Sequence, residues 1–111
     1  MDAAKWLLAR TERFPKRLRH SLTERIDLLA VGILEDVTSA AYRKDPRPDL
    51  GSANDKLNRL RVLLRLAHEM KVLSHDQYRE GAERLAEAGR LLGGWLRKGK
   101  TSGSDPEAAD V

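Results

Sequence analysis

Cysteine is absent from this chain of 111 residues, which excludes disulfides, thiolate metal sites and cysteine nucleophiles together. Aromatic residues are scarce: Trp6, Phe14, Tyr42, Tyr78 and Trp95 are the whole set, so a row of base-stacking side chains for single strands is not evident. No run of 18 apolar residues occurs, so no segment reads as a membrane span and no membrane partner is expected. A basic-then-apolar start with a small-residue cleavage site is missing too, so export is not expected. A reducing cytoplasm is the compatible location.

Catalytic patterns are equally thin. His20, His68 and His75 are scattered, with no His-x3-His or His-Glu-x-x-His spacing to put metal ligands on one helix face. The Glu-x-x-His pairs of a di-iron bundle do not occur. His75 reads as a solvated first-turn residue rather than a ligand. Gly93-Gly94 lies within a helical pattern, without the strand and the following Lys-Ser/Thr of a phosphate loop. Glu80, Glu83 and Glu87 stand at helical spacing from Arg79, Arg84 and Arg90 and read as surface ion pairs. No catalytic residue, metal or cofactor is expected, and the chain does not read as an enzyme.

What is present builds helices. Leu, Ala, Arg and Glu dominate a composition 41% hydrophobic and 34% charged, and no β pattern competes. The length allows one domain with one core. Ser21-Leu-Thr-Glu24, Ser52-Ala-Asn-Asp55 and Ser74-His-Asp-Gln77 read as capping boxes, each before an apolar-periodic run. Leu22, Ile26, Leu29, Ile33, Val37 and Ala40 follow the first box. Leu57, Leu60, Leu64, Ala67 and Met70 follow the second, and Tyr78, Ala82, Leu85, Gly89, Leu92 and Leu96 the third. Those spacings of 3 and 4 are core faces. An earlier helix carries Trp6, Leu7 and Phe14 and is stopped by Pro15. Residues 16–20 make a short helical turn. Residues 44–51, with two prolines and a glycine, form a loop. The expected fold is all-α: an antiparallel up-down four-helix bundle with helices at about 3–14, 21–43, 52–72 and 74–98. The segment 99–111 has too little apolar surface to order and is expected to be a disordered acidic tail.

Charge is unevenly placed. All 21 lysines and arginines lie in residues 1–100, and three of the 17 acids lie beyond, leaving the body at +7 and the last eleven residues at −3. A basic body favours a polyanion such as RNA or DNA. Residues 5–25 hold seven bases against two acids, among them Arg13, Lys16, Arg17 and Arg19. Arg61 and Arg65 are four apart and rise from one helix face, with Arg59 pointing elsewhere; Glu69, four after Arg65, partly offsets the pair. Arginine makes up 14 of the 21 bases, and its planar fork suits bidentate phosphate contact. A solvated bundle surface is the alternative reading. Gly89 and Gly93, with Trp95 close behind, mark a tight helix contact; the sequence leaves open whether it lies within a protomer or between protomers.

The stretch Leu57-Asn-Arg-Leu-Arg-Val-Leu-Leu-Arg-Leu-Ala67, then Leu73-Ser74 and Tyr78, then Ala88-Gly-Arg-Leu-Leu-Gly-Gly-Trp95 resembles the accessory variability determinant (Avd) proteins of diversity-generating retroelements. Phe14-Pro15-Lys16 and Leu22-Thr-Glu-Arg-Ile26 agree, and the match covers about residues 5–98. The four-helix 23S rRNA intervening-sequence proteins are close relatives. The resemblance implies a homopentameric barrel of four-helix protomers without catalytic activity. Its partners would be the element's reverse transcriptase and its template RNA, and its role would be to support mutagenic reverse transcription. It likens Arg61 and Arg65 to the family's partner-binding arginine pair, and Arg90 to the arginine of the Gly-Arg-x-Leu-Gly-Gly-Trp run. The alternative it leaves is an rRNA-linked structural bundle.

Overall fold

The computed structural model describes residues 2–104 and the side-chain surroundings of 3–98. Four α-helices make up most of it, and no strand occurs among the described residues: α1 (Asp2–Thr11), α2 (Glu24–Ala40), α3 (Arg47–Glu69) and α4 (His75–Ser104). Between α1 and α2 lie a 3₁₀ turn, Lys16–Leu18, and a π-helical turn, Arg19–Thr23. α2 packs on α3, α3 on α4, and α1 against both α2 and α4. Leu50 faces Trp95, Leu57 and Arg61 reach Gly89, and Leu64 reaches Gly81, so α3 and α4 run in opposite senses. Opposite senses hold for α2 and α3 too, with Arg25 and Leu29 facing Arg59 and Leu63 while Ala40 faces Leu50.

The core is aliphatic. Leu7, Leu22, Ile26, Ile33, Leu57, Leu60, Leu85 and Leu92 are fully buried, each worth roughly 1.5–3 kcal/mol over an exposed position. The periodic faces expected on the second and third helices hold, except that Met70 is exposed because α3 stops at Glu69. On α4, Leu85 and Leu92 are buried and Tyr78 and Leu96 pack against the core as expected, and the departure is at Ala82. Ala82 is exposed, whereas Gly81 and Ala88 are buried with Leu85 and Leu92. Trp6 is the reason: its ring edge lies with Leu64 against the α4 backbone, and a Cβ at Gly81 would stand 2.8 Å from both. The Glu80 carboxylate accepts from Arg84 at 2.9 Å, and the Arg10 guanidinium sits 5.5 Å over the Trp6 ring. First the Arg84 hydrogen bond, and then charge and the indole, hold the Glu80 carboxyl below its ordinary range.

Helix ends depart from expectation where a buried side chain overrides a local motif. Only the third box forms: the Ser74 amide donates to Gln77 Oε1 at 2.9 Å, and the Gln77 amide to Ser74 Oγ at 3.1 Å. Ser21 caps nothing; its hydroxyl turns back to the Leu18 carbonyl at 3.5 Å. Phe14, Leu18 and Leu22 continue the four-residue burial period upstream of α2. They hold the backbone in helical turns, and the Glu24 amide already bonds the Arg19 carbonyl. Ser52 is interior to α3, accepting from Lys56, whose ammonium continues to Asp36 of α2 at 2.6 Å. Pro48 belongs to the first turn of α3, where a missing amide costs nothing, and Asp45 accepts the Arg47 amide just ahead of it. The loop is therefore 41–46, not 44–51.

α3 closes with Lys71 at φ 64°; the Lys71 amide donates to His68 and the Val72 amide to Ala67, the paired bonds of a Schellman end. The tail expected from Gly99 begins as a continuation of α4 to Ser104, and 105–111 lie outside the described residues. No helix among the described residues is long and apolar enough to cross a membrane.

Gly81→Ala is expected to destabilise the fold. Overpacking against Trp6 and Leu64 costs about 1–3 kcal/mol, against about 1 kcal/mol regained in helix propensity. A net loss near 1 kcal/mol lowers Tm by about 4–8 °C, read by thermal circular dichroism; an unchanged or higher Tm contradicts this packing.

Candidate nucleic-acid and partner interface

The basic residues fall into two groups. In the first, the cation already has a partner. Arg59 pairs with Asp55 at 3.1 Å, Arg65 with Glu69 at 3.5 Å, and Arg90 with Glu87. All are exposed one-turn pairs, each worth at most about 1 kcal/mol, and each weakens the field its arginine presents. Arg61 is different. Its Nη1 donates to Asn58 Oδ1 at 3.1 Å, and its guanidinium lies across α4, where a Cβ on Gly89 would stand 2.6 Å from Nη2. Arg61 and Gly89, singled out for separate reasons, therefore meet. Within the chain, Gly89 admits a side chain rather than a second backbone. Gly93 has only Arg97 near it, at 3.5 Å from an added Cβ. Trp95 stands half-exposed at the far end of α4, beside Val37, Ala40 and Leu50.

The second group is unneutralised. Arg13, Lys16, Arg17 and Arg19 are exposed and, among the described residues, have no carboxylate within ion-pairing distance. Arg25, in the first turn of α2, is in the same condition and extends the cluster toward Leu28 and Val62. Of the acids nearby, Asp27 accepts the Thr11 hydroxyl at 2.6 Å, Glu24 lies 3.9 Å from His20, and exposed Glu12 pairs with none of these bases. Phe14, Leu18 and Leu22 anchor this connection in the core, and the tighter 3₁₀ turn followed by the wider π turn sends the intervening bases outward. Arg25 is the member absent from the expected site. Its signal was its place among seven bases in residues 5–25, which spacing along one helix could not connect to the others.

The histidines do not converge on a metal. His68 stacks on Tyr78 at 4.6 Å between centroids and meets His75 at 5.7 Å, joining the end of α3 to the start of α4. His75 Nε2 lies 3.4 Å from Arg79 Nη2. No group of three or more metal-ligating side chains occurs among the described residues.

Large apolar side chains are left outside on α2 and α3. Leu28 and Val62 are 67% and 68% exposed, with Val31 and Leu66 on the same two helices. The described residues thus combine four helices, an unneutralised basic connection and exposed leucines and valines on α2 and α3. The bAvd-like family model matches residues 1–99, and the chain belongs to that family, of the accessory variability determinant type. No curated protein and no solved structure matches it.

Gly89→Ala separates the two glycine roles on α4. The atom an added methyl meets is the far end of a flexible arginine, so Arg61 should move and the helix should hold. Tm is expected to stay level or rise by an amount matching up to about 1 kcal/mol; a fall comparable to that of Gly81→Ala would mean a second backbone occupies this notch.

Proposed function

We propose that this protein is a non-enzymatic accessory factor of a diversity-generating retroelement, cytoplasmic, holding template RNA and the reverse transcriptase together during mutagenic reverse transcription. Family membership over residues 1–99 supports the role. The observation that carries the RNA part is the run of Arg13, Lys16, Arg17, Arg19 and Arg25 without carboxylate partners among the described residues. Phosphate binding there displaces counterions and no protein ion pair, so affinity is electrostatic, salt-sensitive and weakly selective. Arg61 and Arg65 are assigned to the reverse transcriptase. Arg61 enters that interface with its fork already oriented by Asn58, which reduces the ordering cost of binding. The exposed Leu28, Val31, Val62 and Leu66 support self-association of antiparallel up-down bundles, with the pentamer taken from the family.

Replacing Arg13, Lys16, Arg17 and Arg19 by alanine should flatten the slope of log affinity for template RNA against log salt by about 0.7–0.9 for each phosphate no longer neutralised, with circular dichroism unchanged. The Arg61→Ala/Arg65→Ala double variant should keep the RNA slope and fail to pull down the reverse transcriptase. An unchanged slope in the quadruple variant contradicts the RNA site. A gene neighbourhood holding a 23S rRNA insertion, in place of a reverse transcriptase with a template/variable repeat pair, contradicts the role itself.

A further inference from the structure

We propose that a groove beside the C-terminal half of α4 receives an amphipathic helix of a partner protein, apolar on one face and acidic along one edge. The inference goes beyond the RNA and reverse-transcriptase reading and does not require it.

The groove follows from unequal helix lengths. α1 has 10 residues and α4 has 30, roughly 15 Å against 45 Å at 1.5 Å per residue. Trp6 seated at Gly81 and Thr11 bonded to Asp27 place α1 beside the start of α4 and the first half of α2. Past Asp2, the described residues supply three helices around a space for four. There Val37, Ala40 and Ala41 of α2 and its C-cap, Leu50 of α3 and Trp95 of α4 wall an open cavity of about 340 Å³ that no described residue of α1 lines. Trp95 remains 42% exposed at its edge.

Shape and charge both describe the occupant. The space continues the line of α1 between α2 and α4, so a helix fills it as α1 fills the other half. The alanines at 40 and 41 allow a second backbone to approach closely, as small residues do at helix contacts. No acidic residue lines the groove, and Lys98 stands on its rim. In the connection and the first turn of α3 that border it, Asp45 and Asp49 are bound to Arg47 and Arg43, while Lys44 has no carboxylate partner among the described residues. The rim is cationic, which an acidic edge complements. The walls offer a base edge almost no hydrogen-bonding group, which favours a protein helix over a nucleotide.

The test uses the intact protein and a synthetic helical peptide of about four turns, roughly 14 residues, with Leu at i, i+3, i+4 and i+7 and Glu along one flank. A matched peptide carries Lys in place of each Glu. The Glu peptide should shift tryptophan emission to the blue, a shift absent in Trp95→Phe, and bind at least tenfold tighter than the Lys peptide. Ala41→Trp should abolish binding while helicity and RNA affinity hold, and Lys98→Glu should reverse the preference between the two peptides. Equal affinity for both peptides, or Glu-peptide binding that survives Ala41→Trp, overturns the proposal. So does a fall in assembled mass on Ala41→Trp, which gives the groove to a second copy of the chain, or displacement of the peptide by a single-stranded oligonucleotide in the quadruple variant of the α1–α2 connection. RNA binding is read separately at that connection, so failure here leaves that site standing.

Discussion

Trp6 lies in a notch that exists because residue 81 has no side chain, and the placement of α1 on the bundle follows from that seat. The indole is held on two sides: Leu64 shares its notch at Gly81, and the Arg10 guanidinium lies over its ring. A helix pinned so firmly near its middle cannot slide along α4, so its end is fixed too. Thr11 then meets Asp27, and the chain must cross to α2 through residues 12–23. That crossing carries four of the exposed bases. One packing contact therefore helps decide where the charge is displayed.

The α1–α2 connection shows how a basic surface can be built without a regular helix. Phe14, Leu18 and Leu22 keep a four-residue burial period through a 3₁₀ turn and a π turn. The core side of the connection is helix-like while the outer side is irregular. Bases distributed on such a turn diverge, and even Lys16, four residues after Glu12, forms no ion pair among the described residues, unlike Arg59, Arg65 and Arg90. On a regular helix, spacing that brings like charges to one face also brings opposite charges into pairing range. Neutralisation, rather than the number of arginines, distinguishes the two groups.

Much of the fold was legible in the sequence because burial periodicity is a direct imprint of helix geometry. Four helices, the aliphatic faces of α2 and α3, and the Ser74–Gln77 cap all follow from it. The Ser21 and Ser52 boxes misled because a local cap competes with burial, and burial is worth more. Leu18 and Leu22 pull Ser21 into a helical turn, and Pro46 and Pro48 begin α3 rather than interrupt it. The burial of Gly81 in place of Ala82 needed knowledge of Trp6, a residue 75 positions away in the chain. For the site, Arg61 and Gly89 were each visible, but their meeting crosses two helices. The pairing that quiets Arg59, Arg65 and Arg90 is local, within one turn of one helix, and so lies within reach of sequence. The outward fan of Arg13, Lys16, Arg17 and Arg19 depends on the irregular turns between α1 and α2, which no single helical period describes.

The most direct measurement is arginine-directed chemical footprinting of the intact protein with and without bound template RNA, read by mass spectrometry. Protection of Arg13, Arg17, Arg19 and Arg25, with Arg59, Arg65 and Arg90 modified equally in both states, is the expected result. Protection confined to α3 and α4, with the α1–α2 connection still open to reagent, would contradict the assignment of polyanion binding to the unneutralised arginines.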